Sequence, residues 1–250
     1  MRHHGRYLLA GPPGEGLAAL GDRESRHLLV VRRASPGDRL ELFDGRGRVW
    51  EAELAGADGA RALCRILGEL PAGGGHPWRL TVAAAVPRGK RMAWLVEKCA
   101  ELGAAELWPA GWQRSPRTGS AGAVERWRRL AEAAAGQSRQ ARVMLVSEPM
   151  TAAGIAARLA EFSRVLVLEP GGGQAVGRAL AGLPPGAPVL ALVGPEGGLT
   201  AADLAPIEAA APGPEQLRRV TLGPAVLRVE TAAVAVAAAV LAEGLGRGAG

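Results

Sequence analysis

Two glycine-marked loops hold most of the chemistry that this sequence offers. The first, Leu192-Val-Gly-Pro-Glu-Gly-Gly-Leu-Thr200, follows the apolar run 189–193; the second, Leu222-Gly-Pro-Ala-Val-Leu-Arg-Val-Glu-Thr-Ala232, follows 220–222. Such runs are typical of buried parallel strands, and each loop leads into a segment of helical composition. Open α/β sheets form their clefts at the carboxyl ends of strands, and glycine lets a backbone approach a ligand closely. The two loops therefore predict a pocket of backbone amides, glycines and the side chains of Leu192, Leu199, Leu222 and Leu227. That lining suits a neutral or zwitterionic ligand with a flat ring. Glu196 lies inside the first turn; Arg228, Glu230 and Thr231 stand beside the second. The two glutamates read best as carboxylates that organise the loops by accepting backbone N–H bonds. Arg228 has no packing purpose in this pattern.

Several chemistries are disfavoured. No Gly-x-x-x-x-Gly-Lys-Ser/Thr phosphate loop is present, and no Gly-x-Ser-x-Gly nucleophile elbow. Gly171-Gly-Gly-Gln-Ala-Val-Gly177 has the wrong spacing and lies too late for a dinucleotide fingerprint. His3, His4, His27 and His76 show no ligand spacing, so no metal is expected. Cys64 and Cys99 match no metal or redox motif. With no secretory leader in view, they are expected to be reduced thiols in a cytoplasmic protein. The most apolar tract, 232–241, falls well short of the roughly 20 residues that cross a bilayer; a buried helix is expected there, and no membrane partner.

The elements that must carry the two loops follow from composition and rhythm. At 250 residues and 48% hydrophobic the chain can build a sizeable core, but with 4% aromatics that core is mostly Ala, Val and Leu. Net charge is +6, and Lys90 and Lys98 are the only lysines among thirty basic residues. Such an arginine excess suits phosphate recognition, although a GC-rich coding bias also produces it. Residues 1–70 read as a small β-rich unit. Strands at 38–43, 49–54 and 60–67 form a meander, with Asp44-Gly-Arg-Gly47 as the first turn. Asp22 is placed to cap a helix through Val31. Arg6, Arg32 and Arg33 make a basic face on this unit. Pro71-Ala-Gly-Gly-Gly-His-Pro77 is a linker, 71–77. Beyond it, in 78–250, strands at 80–86, 105–108, 143–146, 164–168, 189–193 and 219–222 alternate with helices, which predicts a parallel sheet. Met92, Leu95, Val96, Cys99 and Leu102 form one apolar stripe with Gly103 as its stop. A second helix spans about 124–136. Between them Gln113-Arg-Ser-Pro-Arg-Thr-Gly119 is a polar, basic loop.

At these residues the sequence resembles the small-subunit ribosomal RNA uracil-N3 methyltransferases, a branch of the SPOUT superfamily. Gly194-Pro-Glu-Gly-Gly198 and Leu222-Gly-x-x-x-Leu-Arg-x-Glu-Thr231 carry the likeness. Lys98-x-x-Glu-Leu-Gly103, Arg126-Trp127, Glu132-Ala133 with Gln137-Ser138, His27-Leu and Phe43-Asp-Gly45 extend it along nearly the whole chain. Ala225 departs from the pattern, where an arginine is usual, and the arginine expected after Gln137 is met only loosely by Arg139 or Arg142.

The resemblance implies a PUA-like RNA-binding barrel at 1–70, followed by a parallel-sheet α/β SPOUT domain at 78–250 with a carboxyl-terminal trefoil knot. It implies a homodimer with its sites near the subunit interface, and S-adenosylmethionine as cofactor. The cofactor loops map onto Leu192, Val193, Gly194, Pro195, Glu196, Gly197 and Gly198, onto Leu222, Gly223 and Leu227, and onto Leu168 and Glu169 as a third wall. The motif arginine maps onto Arg228, the candidate catalytic residue for stabilising the anion that develops on the base. Arg6, Arg32, Arg33, Lys90, Arg91, Arg114 and Arg117 are the candidate RNA-binding residues. The implied reaction is methylation of N3 of a uridine in the decoding region of 16S rRNA, as free rRNA or within the 30S subunit. A SPOUT enzyme methylating a ribose 2′-oxygen and a non-catalytic RNA-binding protein are the other readings.

Overall fold

The computed structural model describes residues 3–11, 16–71, 78–117 and 119–245; the expected linker lies almost wholly outside them. The described chain divides into two compact units. The first holds β1 (His3–Leu8), β2 (Leu17–Ala19), α1 (Asp22–Arg26), β3 (Arg39–Phe43), β4 (Val49–Asp58) and β5 (Arg61–Leu70). The second begins with β6 (Arg79–Ala85), α2 (Arg91–Glu101), β7 (Glu106–Gly111) and α3 (Ala121–Ser138). It continues through β8 (Leu145–Val146), β9 (Met150–Thr151), α4 (Ala152–Ala157), β10 (Arg164–Leu168) and β11 (Gln174–Ala175). It closes with α5 (Val176–Ala179), β12 (Pro188–Val193), α6 (Ala201–Ala210), β13 (Leu217–Thr221) and α7 (Val229–Leu245).

In the first unit the meander β3–β4–β5 forms as expected, and the Asp44 carboxylate tightens its turn by accepting the N–H groups of Arg46 (2.8 Å) and Arg48 (3.0 Å). β1 adds in parallel to β3, and β2 adds antiparallel to β5, giving the order β1-β3-β4-β5-β2. A bridge between Leu9 and Leu20 joins the two outer edges, closing a barrel around Leu28, Leu40, Leu42, Trp50, Leu54 and Cys64. Closure of this kind leaves no edge free to aggregate. Asp22 does not cap the helix: Gly21 holds the cap position, and the Asp22 carboxylate instead accepts from Arg61 at 3.2 Å. Nor does α1 run unbroken to Val31. It widens into a π-helical turn, His27–Val31, in which Arg32 N–H reaches back to the His27 carbonyl.

The first unit also takes in Glu132–Val143, a segment that the sequence reading placed in the second domain. The reason is packing: Ala135 is buried against Phe43 and Val49, with Val143 and Ala141 beside them. That leaves only two residues, β8, of the strand expected at 143–146.

The second unit is built on an eight-stranded sheet, order β11-β13-β10-β12-β6-β7-β8 with β9 beside β7, and every pairing is parallel. Its central strands are largely apolar; Leu80, Val82, Leu166, Val189 and Leu190 are fully buried. The stripe on α2 packs inward as predicted, and Gly103 ends the helix at φ +77° while Ala104 N–H bonds the Cys99 carbonyl. α7 packs against α2, α5, β6 and β12, and α4 packs against α6. Burial raises the thiols of Cys64 and Cys99 to about 11 and about 12, so both stay protonated and unreactive. Among the described residues, no helix is long and apolar enough to cross a membrane.

Candidate active site

Strand order explains why the two glycine loops meet. β10 lies between β13 and β12, so the loops that leave the carboxyl ends of these three parallel strands emerge side by side. They line one concave pocket at the ends of these strands, the usual place for a ligand in a parallel sheet. Leu168, Glu169 and Pro170 form one wall; Val193, Gly194, Pro195, Glu196 and Gly198 form the second; Leu222, Gly223, Ala225, Val226 and Leu227 form the third, and Ala232 adds to the lining. Gly171 N–H bonds the Gly223 carbonyl at 3.3 Å, tying the first wall to the third.

Ten of the predicted cofactor residues therefore converge, namely Leu168, Glu169, Val193, Gly194, Pro195, Glu196, Gly198, Leu222, Gly223 and Leu227. Two do not reach the lining. Leu192 is fully buried within β12, and the Gly197 carbonyl turns to accept from Arg114. Pro170, Ala225, Val226 and Ala232 were missed. They flank the quoted motifs, and the register of a loop about its motif is not readable from residue type. Arg228 is exposed, follows the wall residue Leu227, and forms no ion pair among the described residues.

The first loop is held from behind by the segment following β7. Trp112 Nε1 donates to the Val193 carbonyl at 3.2 Å. Asp203 does more. One carboxylate oxygen accepts from Gln113 N–H at 2.8 Å; the other accepts from the Thr200 N–H and hydroxyl at 2.9 and 2.8 Å. The Thr200 side chain in turn accepts from Asp203 N–H, completing a capping box on α6. Burial opposes charge on Asp203, but these hydrogen bonds outweigh it and hold the carboxyl below its ordinary 3.8. A carboxyl lowered in the folded state contributes stability that is present above its unfolded pKa and lost as pH falls through the folded one. Asp203→Ala is accordingly expected to lose about 1–2 kcal/mol of stability at pH 7. In urea titrations the gap from wild type should close below about pH 3.8.

The structure gives several predicted RNA-binding residues other partners. Arg91 Nη1 stands 3.7 Å from Glu230 and 4.0 Å from Glu196, so it bridges carboxylates of the two glycine loops. Glu230 is buried and its second oxygen has no partner; its contact is this arginine rather than the expected backbone N–H. Glu169 is held by Arg219, which also reaches Glu208. In the first unit Arg6 is mostly buried. It bonds Glu41 at 2.8 Å and also donates to the Arg139 carbonyl, so its guanidinium holds β1 against β3. Arg32, Arg33, Lys90, Arg114 and Arg117 are exposed. Among the described residues, no cluster of His, Cys, Asp and Glu has the arrangement to hold a metal.

Comparison with known proteins agrees with this architecture. A family profile described as RNA methyltransferase domain matches residues 75–241, and one described as RNA methyltransferase PUA domain matches residues 20–67. Ribosomal RNA small subunit methyltransferase E of Mycobacterium bovis is 34% identical, over 94% of this chain and 89% of its own length. The Bacillus subtilis protein of the same name is 28% identical over 84% and 83%. A Neisseria gonorrhoeae ribosomal RNA small subunit methyltransferase E, solved bound to S-adenosyl methionine, superposes with a TM-score of 0.82 and 28% identity, covering 95% of this chain and 96% of that one. With a PUA-like barrel, a parallel-sheet methyltransferase unit and these relatives, the chain belongs to the RNA methyltransferase family that includes ribosomal RNA small subunit methyltransferase E.

Proposed function

We propose that the chain transfers a methyl group from S-adenosylmethionine to N3 of a uridine in the decoding region of 16S rRNA. It would act in the cytoplasm as a homodimer whose carboxyl-terminal loops form a trefoil knot. The observation that carries the reading is the pocket at the ends of β10, β12 and β13. Its apolar walls at Leu168, Val193, Leu222 and Leu227 and its glycine-lined turns suit a ligand with a flat ring and a zwitterionic tail. The cofactor supplies an electrophilic methyl on a sulfonium centre. Backbone amides of the Gly194 and Gly223 loops would hold its ring edges, and Glu169 and Glu196 present carboxylates to its polar groups.

N3 of uracil must lose a proton for its lone pair to attack, and negative charge then grows on the base carbonyls. A cation fixed near them lowers that barrier. Arg228 is the group for this work: it follows the wall residue Leu227, and no carboxylate holds it among the described residues. Arg91 has a supporting task, since its contacts to Glu196 and Glu230 set the two loops in register. Lys90, Arg114 and Arg117 supply exposed positive charge on this unit, while Arg32 and Arg33 do so on the barrel.

Calorimetry with S-adenosylmethionine, followed by incubation with the tritiated cofactor and either 30S subunits or naked 16S rRNA, tests the reading. Saturable binding and label in RNA are expected. A protein that binds no cofactor would be a non-catalytic RNA-binding relative.

A further inference from the structure

The first unit contains an open cleft of about 890 Å³, at the upper end of the roughly 300–1,000 Å³ of ligand sites. Tyr7 and His27, whose rings lie 5.7 Å apart, line it together with Arg26, Arg32 and Arg139. Glu24 and Glu132 are the carboxylates on its wall; Glu24 stands 4.0 Å from Arg23, and Glu132 also has a partner. Arg26, Arg32 and Arg139 are exposed and form no ion pair among the described residues.

Three independent features mark the cleft as built for an oxyanion. The Tyr7 hydroxyl is buried and its proton has no acceptor. The Arg32 guanidinium beside it can only donate. With Arg32 as its polar neighbour, the hydroxyl proton lacks an acceptor. Second, among the described residues only Arg33 (φ +52°) and Arg139 (φ +57°) are non-glycine residues in the left-handed region. Arg139 ends α3 where glycine is favoured, with Gln140 N–H closing the turn onto the Ala135 carbonyl at 3.0 Å. An arginine kept at a glycine position costs stability, and what it gains is a guanidinium at the rim. Third, Arg32 and Arg23 add to burial in holding the His27 imidazole below its ordinary range, and Glu24 opposes them.

We propose that this cleft seats a backbone phosphodiester of the RNA substrate. Arg26, Arg32 and Arg139 engage the phosphate oxygens, the Tyr7 hydroxyl donates to one of them, and the exposed Val31 offers apolar contact to the neighbouring ribose or base. The proposal rests on the rRNA methyltransferase reading and adds to it a defined phosphate seat on the barrel unit.

The test compares wild type with Arg139→Gly, Arg32→Ala combined with Arg139→Gly, and Tyr7→Phe. The probe is a fluorescein-labelled 16S rRNA fragment titrated by anisotropy across a salt series. Removing one arginine–phosphate pairing should lower the slope of log Kd against log salt by about 0.7–0.9, hence by roughly 1.5 for the double variant, and Tyr7→Phe should weaken binding several-fold. Melting temperatures of Arg139→Gly and Tyr7→Phe should equal or exceed that of wild type, because one substitution relieves a left-handed residue and the other an orphaned hydroxyl. Wild-type RNA binding with unchanged affinity and slope in every variant would overturn the proposal and leave the methyltransferase reading standing. A wild type that binds no RNA would overturn the functional reading and this proposal together.

Discussion

Gly194→Ala is expected to weaken S-adenosylmethionine binding by about 5- to 150-fold. A Cβ at this position would lie 2.9 Å from Leu199 Cγ and 3.0 Å from the Leu199 backbone nitrogen. The second of these atoms cannot move aside by a rotamer change; the turn itself must open. Overpacking of this kind costs about 1–3 kcal/mol, and at 1.4 kcal/mol per tenfold that is the stated range. The turn that must open carries the wall residues Gly194, Pro195, Glu196 and Gly198, so the cost falls on the ligand-binding form of the loop. Gly197→Ala is the control. Its added carbon would meet Arg114 Cδ at 3.2 Å, the stem of an exposed side chain that can swing away, so affinity should stay near that of wild type. Calorimetry of the two variants distinguishes a loop shaped for a ligand from one that merely tolerates alanine poorly. Equal affinity in both would remove Gly194 from the pocket's design.

Arg228→Ala is expected to cut turnover by about 100- to 1000-fold, the effect of removing one donor aimed at developing charge, with cofactor affinity and melting temperature nearly unchanged. The second half follows from its surroundings. Arg228 is exposed and unpaired among the described residues, and surface substitutions away from packing or caps stay within about 0.5 kcal/mol. Single-turnover methylation with saturating cofactor reads the chemical step directly. Near-normal turnover would show that the anion is stabilised by another group.

The sequence made the second unit more legible than the first, for a physical reason. In a parallel sheet buried on both faces each strand announces itself as an apolar run, and six such runs correspond to β6, β7, β8, β10, β12 and β13. The loops carried glycines that a close turn requires. What could not be read locally was which loops become neighbours. That depends on the order β13-β10-β12, a long-range property. For the same reason β1 was missed. It is short, and its partner β3 lies more than thirty residues away, joined by the register Arg6 opposite Glu41. Arg6 looked like a free basic residue until that pairing placed a carboxylate against it. The contacts of Arg91 were hidden alike, because Glu196 and Glu230 are distant from it in sequence and adjacent in the fold. The segment Glu132–Val143 shows the opposite case. Its helical pattern was visible, but its small Ala135 gave no hint that it packs on Phe43 and Val49 of the barrel unit.

The most direct test of the central claim is to locate the methyl group. 16S rRNA methylated by the purified protein would be digested to nucleosides, resolved by mass spectrometry, and mapped by protected-fragment sequencing. The account predicts a single 3-methyluridine in the decoding region, absent from reactions with Arg228→Ala. A methyl on a ribose oxygen, on another base, or on no RNA at all would contradict it.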